Sequence, residues 1–241
     1  MNKLDGVGNR FFVLTTGRAG STSLMDALGS HPDIATPSKQ IDCPNNEIFQ
    51  VVKPDRYWET YARLSGVPVV DELSLARAFF CSNSASFAGF KTMPNRHRRL
   101  QQMITDNGIQ VIGLIRRDLS STIASFIAAV DAKSWQRSGE HQRYHFRFSS
   151  AIEARVDAHL VYLLTSLRQL KKLRDTIMIE FEDLCTETFC HHSLNNYFQR
   201  PIRLHDPRQP IDGATYVENW TEFTRYVQRR VGDFQRQHPS S

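Results

Sequence analysis

Glycines, hydroxyl side chains and one arginine are concentrated in a short segment near the start of the chain, Thr15–Ser23 (TTGRAGSTS). Backbone N–H groups in a glycine-rich turn ahead of a helix, together with the helix dipole, bind anions. Arg18 lies between Gly17 and Gly20 and adds a permanent charge with planar donors suited to phosphate or sulfate oxygens. If the glycines served only a tight turn, neither the arginine nor the hydroxyls would be explained. The segment therefore predicts an anion-binding loop.

This loop differs from the nucleotide-binding motifs that share its outline. In GxxxxGK[ST] a lysine precedes the hydroxyl residue, whereas here Ser21 follows Gly20 directly, and the segment is not GxGxxG either. The lysine that reaches the β- and γ-phosphates is missing, which disfavours an ordinary ATP or GTP hydrolase. A P-loop nucleotide kinase and a catalytically inactive nucleotide-binding protein stay open as alternatives.

A second basic position follows the most apolar run of the chain, Ile109–Ile115 (IQVIGLI), which is typical of a strand covered on both faces. Arg117 comes just after this run, and Ser125 lies eight residues further along, on a predicted helix. An arginine at a strand end and a serine two helical turns later can flank one phosphate. Taken singly, Arg117 could form a surface ion pair and Ser125 a helix–sheet contact. Their spacing favours a second anion site.

Strand-like runs that alternate with helical patterns place these residues at strand ends. They predict a single α/β domain over residues 1–241, with three α/β/α layers and a mainly parallel sheet. Asp33–Pro54 is predicted to be an ordered loop, and Val217–Val231 a closing helix followed by a flexible tail over 235–241. The predicted strands are Arg10–Thr15, Phe87–Thr92, Ile109–Ile115 and Thr176–Phe181; the longest predicted helix is Ala151–Leu173.

The segment TTGRAGSTSL resembles the 5′-phosphosulfate loop of sulfotransferases that use 3′-phosphoadenosine 5′-phosphosulfate (PAPS), and the Arg117…Ser125 spacing resembles the pair that binds the 3′-phosphate in that family. Segments GFKTM, IEFEDL and ENW, at 89–93, 179–184 and 218–220, resemble elements of bacterial carbohydrate sulfotransferases such as the trehalose and Nod-factor enzymes. The resemblance implies a P-loop-like sulfotransferase fold, PAPS as donor, 3′-phosphoadenosine 5′-phosphate (PAP) as product and no metal. The implied donor-binding residues are Thr16, Gly17, Arg18, Ala19, Gly20, Ser21, Thr22, Ser23, Arg117 and Ser125.

Sulfuryl transfer also needs a base for the acceptor hydroxyl. In the branches of the family that use glutamate, this residue lies in a motif written HPxI…GEIF, which HPDI and NNEIF resemble here, with Asn46 in place of the usual glycine. Glu47 is therefore the implied base, and Arg18 the residue that stabilises charge on the bridging oxygen. An exposed carboxylate, with a pKa of about 4.3, is a feeble base, so Glu47 should be partly desolvated. His31 is the rival base, although capping the preceding helix is the expectation for it.

Aromatic and basic residues between 135 and 148 predict a loop that covers the acceptor. Trp135 and His141 in this loop, and Lys91 at the end of a predicted strand, are candidate acceptor contacts. An aromatic ring among basic groups suits a sugar or an anionic acceptor, and equally RNA or a plain basic surface. The resemblance to bacterial carbohydrate sulfotransferases favours a carbohydrate or glycolipid.

Composition sets the remaining expectations. The 241 residues carry a net charge of +5, a mild excess that any anionic ligand explains, and no nucleic acid is expected as a partner. No two of the four cysteines form a CxxC pair, so neither a zinc site nor a disulfide framework is indicated. Neither a signal peptide nor an apolar run long enough to cross a membrane is visible, which predicts a cytoplasmic protein.

Overall fold

A computed structural model gives a mixed α/β fold in which helices flank a five-stranded parallel sheet. It describes residues 8–41, 43, 46–49, 54–94, 100–132, 144–186, 188–204 and 212–238. The strands are β1 (Asn9–Thr15), β2 (Ile34–Ala35), β3 (Phe87–Thr92), β4 (Gln110–Ile115) and β5 (Ile177–Glu180). The helices are α1 (Ser21–Gly29), α2 (Pro37–Gln40), α3 (Pro54–Ser65), α4 (Glu72–Cys81), α5 (Leu100–Asn107), α6 (Leu119–Asp131), α7 (Ser150–Lys172), α8 (Phe181–Leu184), α9 (His192–Phe198) and α10 (Trp220–Gln237), with a 3₁₀ turn at Gly213–Thr215.

The sheet is covered on both faces because its strands are apolar on both sides. In β1, Phe12 and Leu14 pack into a cluster that includes α3 and α4, while Phe11 and Val13 pack on the opposite face against α1 and α9. All four side chains are at most 1% exposed. A central strand of this kind needs helices on both faces, and three layers follow.

The strand order is β2-β3-β1-β4-β5, so the chain first adds strands on one side of β1 and later on the other. Where the direction of addition reverses, the loops after two neighbouring strands separate and leave a crevice at the carboxyl edge of the sheet. In this chain the crevice lies between the ends of β1 and β4. The Thr15–Ser23 loop and Arg116–Arg117 follow those two strands.

A third apolar cluster joins α6, α7 and α10. Phe223 of α10 packs edge-on against Phe148, at 5.5 Å between ring centroids. Arg230 binds Asp157 of α7 through a bidentate pair at 2.9 and 2.8 Å. The cluster holds α6 and α7 together at the β4 side of the crevice.

Three details differ from the sequence-based expectations. Asp33–Pro54 is not one loop, since β2 adds to the sheet edge and Pro37 starts the short α2. The closing helix begins at Trp220 and reaches Gln237, so residues 235–237 belong to it and not to a tail. Its last turn is held by Arg168, whose guanidinium lies 4.7 Å from the Phe234 ring centroid and donates to the His238 carbonyl.

Candidate active site

The Thr15–Ser23 loop joins the carboxyl end of β1 to the start of α1, as the sequence predicts. Two of its residues have left-handed backbone conformations, Arg18 at φ 67° and Gly20 at φ 77°. Glycine adopts this conformation freely, whereas for arginine it costs of order 1 kcal/mol. A strained non-glycine residue held in place by its surroundings is a common feature of ligand-binding loops.

The start of α1 leaves backbone donors available. The N-cap residue is Gly20, and no side chain makes a capping hydrogen bond there. Asp71 caps α4 and Asp118 caps α6, since their carboxylates accept from the backbone N–H groups of Ser74 and Ser121 at 2.8 and 2.9 Å. Like α1, the helices α2, α7, α8 and α10 lack a side-chain cap from the N-cap residue. The uncapped first turn of α1, at the positive end of the helix dipole, fits an anionic group.

The Phe181 side chain packs against the loop at Gly20. A Cβ atom on Gly20 would lie 2.6 Å from Cδ2 of Phe181, so no larger residue fits at position 20. The Phe181 ring also carries the guanidinium of Arg116, 4.8 Å from the ring centroid. Arg116 is 8% exposed, so a second arginine lies buried close to the loop. The sequence does not predict that Arg116 lies close to the loop, because Arg116 and Phe181 meet only in the folded chain.

Arg18 connects the two predicted anion sites. Its Nε donates to Oγ of Ser125 on α6 at 3.0 Å, and both residues are at least partly buried. The sequence spacing assigns Ser125 to the 3′-phosphate together with Arg117. In the structure it faces Arg18, so the two segments share one crevice although 107 residues separate them.

Arg117 contacts two carboxylates. Its side chain is 62% exposed and its Nε contacts Glu180 at 2.9 Å and Glu182 at 3.8 Å. Glu182 also accepts from the backbone N–H groups of Arg117 and Asp118, at 3.1 and 3.4 Å. The surface ion pair that the sequence left as the alternative for Arg117 is therefore present. A phosphate group that binds Arg117 would have to displace the carboxylates of Glu180 and Glu182.

Glu47 is buried, at 7% exposure, as a base in a glutamate-type site should be. The preceding residue, Asn46, has φ 56° and is 2% exposed. Asparagine is one of the few residues besides glycine that occupy this conformation readily, which explains how it can replace the usual glycine. The Oδ1 atom of Asn46 accepts from the backbone N–H of Ser38 at 2.8 Å and fixes the turn before Glu47.

Lys91, near the carboxyl end of β3, is a positive charge close to Glu47. It is 7% exposed, and burial lowers its pKa below the ordinary value, while the negative charge of Glu47 opposes that shift. Cys43 lies in the same group, bonded to the Tyr57 side chain and the Glu47 backbone, and burial raises the pKa of its thiol to about 11. A thiol with such a pKa is protonated and inert at neutral pH.

His31 lies at the other edge of the sheet. It follows α1, which starts at the loop and runs for nine residues, so the helix alone separates His31 from the loop by about 13 Å. Its neighbour Asp33 binds Arg200, and Ile34 pairs with Phe87 at the beginning of β3. The geometry therefore separates His31 from the loop.

Trp135 and His141 lie outside the described residues. The end of the predicted covering loop, from 144 to 148, is described and is anchored to the rest of the fold: Phe146 and Phe148 are 6% and 5% exposed. The amide of Asn219 holds Phe148 through both its backbone N–H and carbonyl, at 2.8 and 3.0 Å. The ENW segment thus has a structural role.

Two further observations concern the described part of the chain. Within it, no three His, Cys, Asp or Glu side chains are grouped so that they could hold a metal ion. The same residues form no helix with the length and apolar character required to cross a membrane.

Comparison with known proteins gives a match at the level of structure. No protein-family model matches this sequence, and no curated protein matches it. The structure is similar to a sulfotransferase domain from the curacin biosynthetic pathway, with a TM-score of 0.51 and 14% identity over 95% of this chain and 98% of that one. It is also similar to a sulfotransferase from Alicyclobacillus acidocaldarius, with a TM-score of 0.50 and 15% identity over 96% of both chains. At such identities the likeness concerns the fold alone: the chain has the fold of the sulfotransferases.

Proposed function

We propose that this protein is a sulfotransferase that moves the sulfuryl group of PAPS onto a hydroxyl of an acceptor. The observation that carries the proposal is the crevice at the carboxyl ends of β1 and β4, where the strained Arg18 bonds Ser125 beside the uncapped start of α1. PAPS carries a 5′-phosphosulfate and a 3′-phosphate, so a protein that binds it needs two sets of anion ligands close together. The Thr15–Ser23 loop and the segment from Arg116 to Ser125 supply them.

Each residue has a distinct task in this proposal. Backbone N–H groups of Ser21–Ser23 hold the 5′-phosphosulfate, and Arg18 stabilises the charge that develops on the bridging oxygen as sulfur leaves it. The donor supplies the activated sulfuryl group when it is bound. Ser125 and the arginines after β4 hold the 3′-phosphate, and Arg117 exchanges its carboxylate partners for it.

Glu47 accepts the proton of the acceptor hydroxyl. Its carboxylate is buried, at 7% exposure, so bulk water has little access to it. Lys91, buried beside it, provides a positive charge at the same end of the sheet. Positioning and charge stabilisation account for most of the catalysis in an in-line transfer of this kind.

A carbohydrate or glycolipid is the proposed acceptor class. It rests on the GFKTM, IEFEDL and ENW segments, which resemble those of bacterial carbohydrate sulfotransferases, and on the aromatic residues among basic ones between 135 and 148 of the sequence. Sugars bind through stacking on aromatic rings and directed hydrogen bonds. Transfer of labelled sulfate from PAPS to a panel of glycans, glycolipids and simple alcohols tests this class.

Calorimetry separates a sulfotransferase from a nucleotide kinase. PAP is expected to bind tightly without metal, whereas ATP with Mg²⁺ is expected to bind at least about tenfold more weakly, because the lysine that contacts the β- and γ-phosphates is missing. Tight binding of ATP with Mg²⁺ and weak binding of PAP would establish the kinase alternative.

The base is tested by Glu47→Gln, which keeps the shape of the side chain and removes its basicity. Loss of a general base lowers turnover by about 100-fold or more, while the PAP dissociation constant should stay within a factor of about two. Glu59→Gln is the control because Glu59 is an exposed carboxylate on α3. Glu47→Gln with turnover close to that of the control would show that another group takes the proton.

A further inference from the structure

A short turn leads into Glu47, the proposed base. The carbonyl of Cys43 accepts from the backbone N–H of Asn46 at 3.1 Å, and Asn46 has a left-handed backbone conformation with φ 56°. Cys43 and Asn46 are 1% and 2% exposed, so both ends of this bond are buried. Because Glu47 directly follows Asn46, the backbone angles of Asn46 set the direction in which the chain enters Glu47.

The side chain of Asn46 bonds this turn to α2. Thr36, the N-cap residue of α2, makes no side-chain capping bond, and the backbone N–H of Ser38 in the first helical turn donates to Oδ1 of Asn46 at 2.8 Å. The N–H groups in the first turn of a helix have no acceptor within the helix. Asn46 therefore supplies, from eight residues further along the chain, a cap that Thr36 does not.

The helix α2 is itself held to the sheet. Nζ of Lys39, in α2, donates to the carbonyl of Ile34 at 2.8 Å. Ile34 lies in β2, which pairs in parallel with β3, and β3 carries Lys91, the positive charge close to Glu47. The cap that Asn46 provides therefore connects the turn before Glu47 to these two strands.

Asparagine and glycine differ in how much they restrict the backbone at this position. The motif that NNEIF resembles has glycine before the glutamate, and glycine takes positive and negative φ with similar ease. Asn46 also has a positive φ, but its side chain is in addition bonded to α2. The bond holds the turn in one conformation, whereas glycine would leave it several.

We propose that Asn46 is a positioning residue for the base: its amide, bonded to α2, holds the turn so that the carboxylate of Glu47 meets the acceptor hydroxyl in one orientation. This inference rests on the proposed function. A base takes a proton only within hydrogen-bond reach of it, and a displacement of about 1 Å can lower a rate about 100-fold. Loss of the Asn46 amide should therefore slow turnover and leave PAP binding unchanged, because the bond of this amide goes to α2.

Asn46→Gly tests the inference, since glycine adopts the left-handed conformation and removes the amide. The reaction followed is the formation of PAP from labelled PAPS, with water as the acceptor and with each acceptor that the panel identifies. Turnover is expected to fall at least about tenfold, while the PAP dissociation constant stays within a factor of about two. Asn46→Asp, which keeps an oxygen at the position of Oδ1, should retain most of the turnover.

A double variant separates positioning from general damage to the fold. In the Glu47→Gln background, Asn46→Gly should lower turnover by less than about twofold, because Asn46 acts through a base that is already absent. Asn195→Gly is the matched control, since Oδ1 of Asn195 in α9 accepts from the backbone N–H of Ile202, also at 2.8 Å. Its loss should lower the melting temperature and leave turnover unchanged.

Three results would overturn the inference while PAP binding and wild-type turnover still support the proposed function. They are a turnover of Asn46→Gly equal to that of the control, a loss that Asn46→Asp shares in full, and an equal loss in the Glu47→Gln background. A wild-type protein that does not bind PAP, or does not form it from PAPS, contradicts the proposed function and the inference with it.

Discussion

The two proposed anion sites at the crevice differ in what their arginines contact. Arg18 is partly buried in the loop and donates to the hydroxyl of Ser125. Arg117 is largely exposed and is held by Glu180 and Glu182. In the proposed reaction the second site must exchange carboxylates for phosphate, whereas the bond to Ser125 positions Arg18 within the first. For the proposed reaction we therefore expect the loop to govern the chemical step and the Arg117 site to adjust affinity.

Removal of Arg18 should have the largest effect. Arg18→Ala is expected to lower the rate of sulfate transfer by about 100- to 1000-fold, because a preorganised charge at the bridging oxygen is lost. Arg18→Lys, which keeps the charge but not the planar donors, should retain part of the rate. Single-turnover measurements with labelled PAPS and each variant give these rates. If Arg117→Ala slowed the chemical step more than Arg18→Ala, the roles assigned to the two sites would have to be exchanged.

Gly20→Ala should have an intermediate effect. The new Cβ meets Phe181 at 2.6 Å in a residue with φ 77°, so the loop must move, and PAP affinity should fall by about tenfold or more. Gly108→Ala is the control, since Gly108 has φ 59° and no atom lies within 4 Å of the position that its new methyl group would take. Both variants should lose about 1 kcal/mol of stability from backbone strain, but only the first should lose PAP binding. Calorimetry and thermal melts measure the two effects, and equal PAP affinities would show that the loop tolerates the methyl group.

The smallest effect is expected from Glu180→Gln. Removing one carboxylate from Arg117 should raise PAP affinity by about threefold, since an exposed ion pair contributes less than about 1 kcal/mol. The gain should shrink at high ionic strength, where exposed charges are screened. In the Arg117→Ala background the same substitution should have no effect on PAP binding. An equal gain in that background would mean that Glu180 acts by general charge and not through Arg117.

The sequence predicts those parts of the site that depend on residues close together along the chain. Glycines on either side of Arg18 specify the loop, and an apolar run before Arg117 specifies a buried strand, so parallel pairing brings both to one edge. The partners of Arg117 could not be foreseen, because Glu180 becomes its neighbour only when β5 pairs with β4. Likewise, the bond between Asn46 and Ser38 depends on the path of the chain after α2. Periodicity indicates that a helix forms but not which side chain from elsewhere caps it.

The uncapped start of α1 has a consequence for the stability of the protein. A glycine at the N-cap costs about a few tenths of a kcal/mol relative to a residue whose side chain caps the helix, and α1 has Gly20 at this position. An anion that binds the folded loop and not the unfolded chain replaces the missing cap, and by mass action it raises the melting temperature as its concentration increases. If the proposed donor binds there, its concentration therefore contributes to the stability of the folded protein.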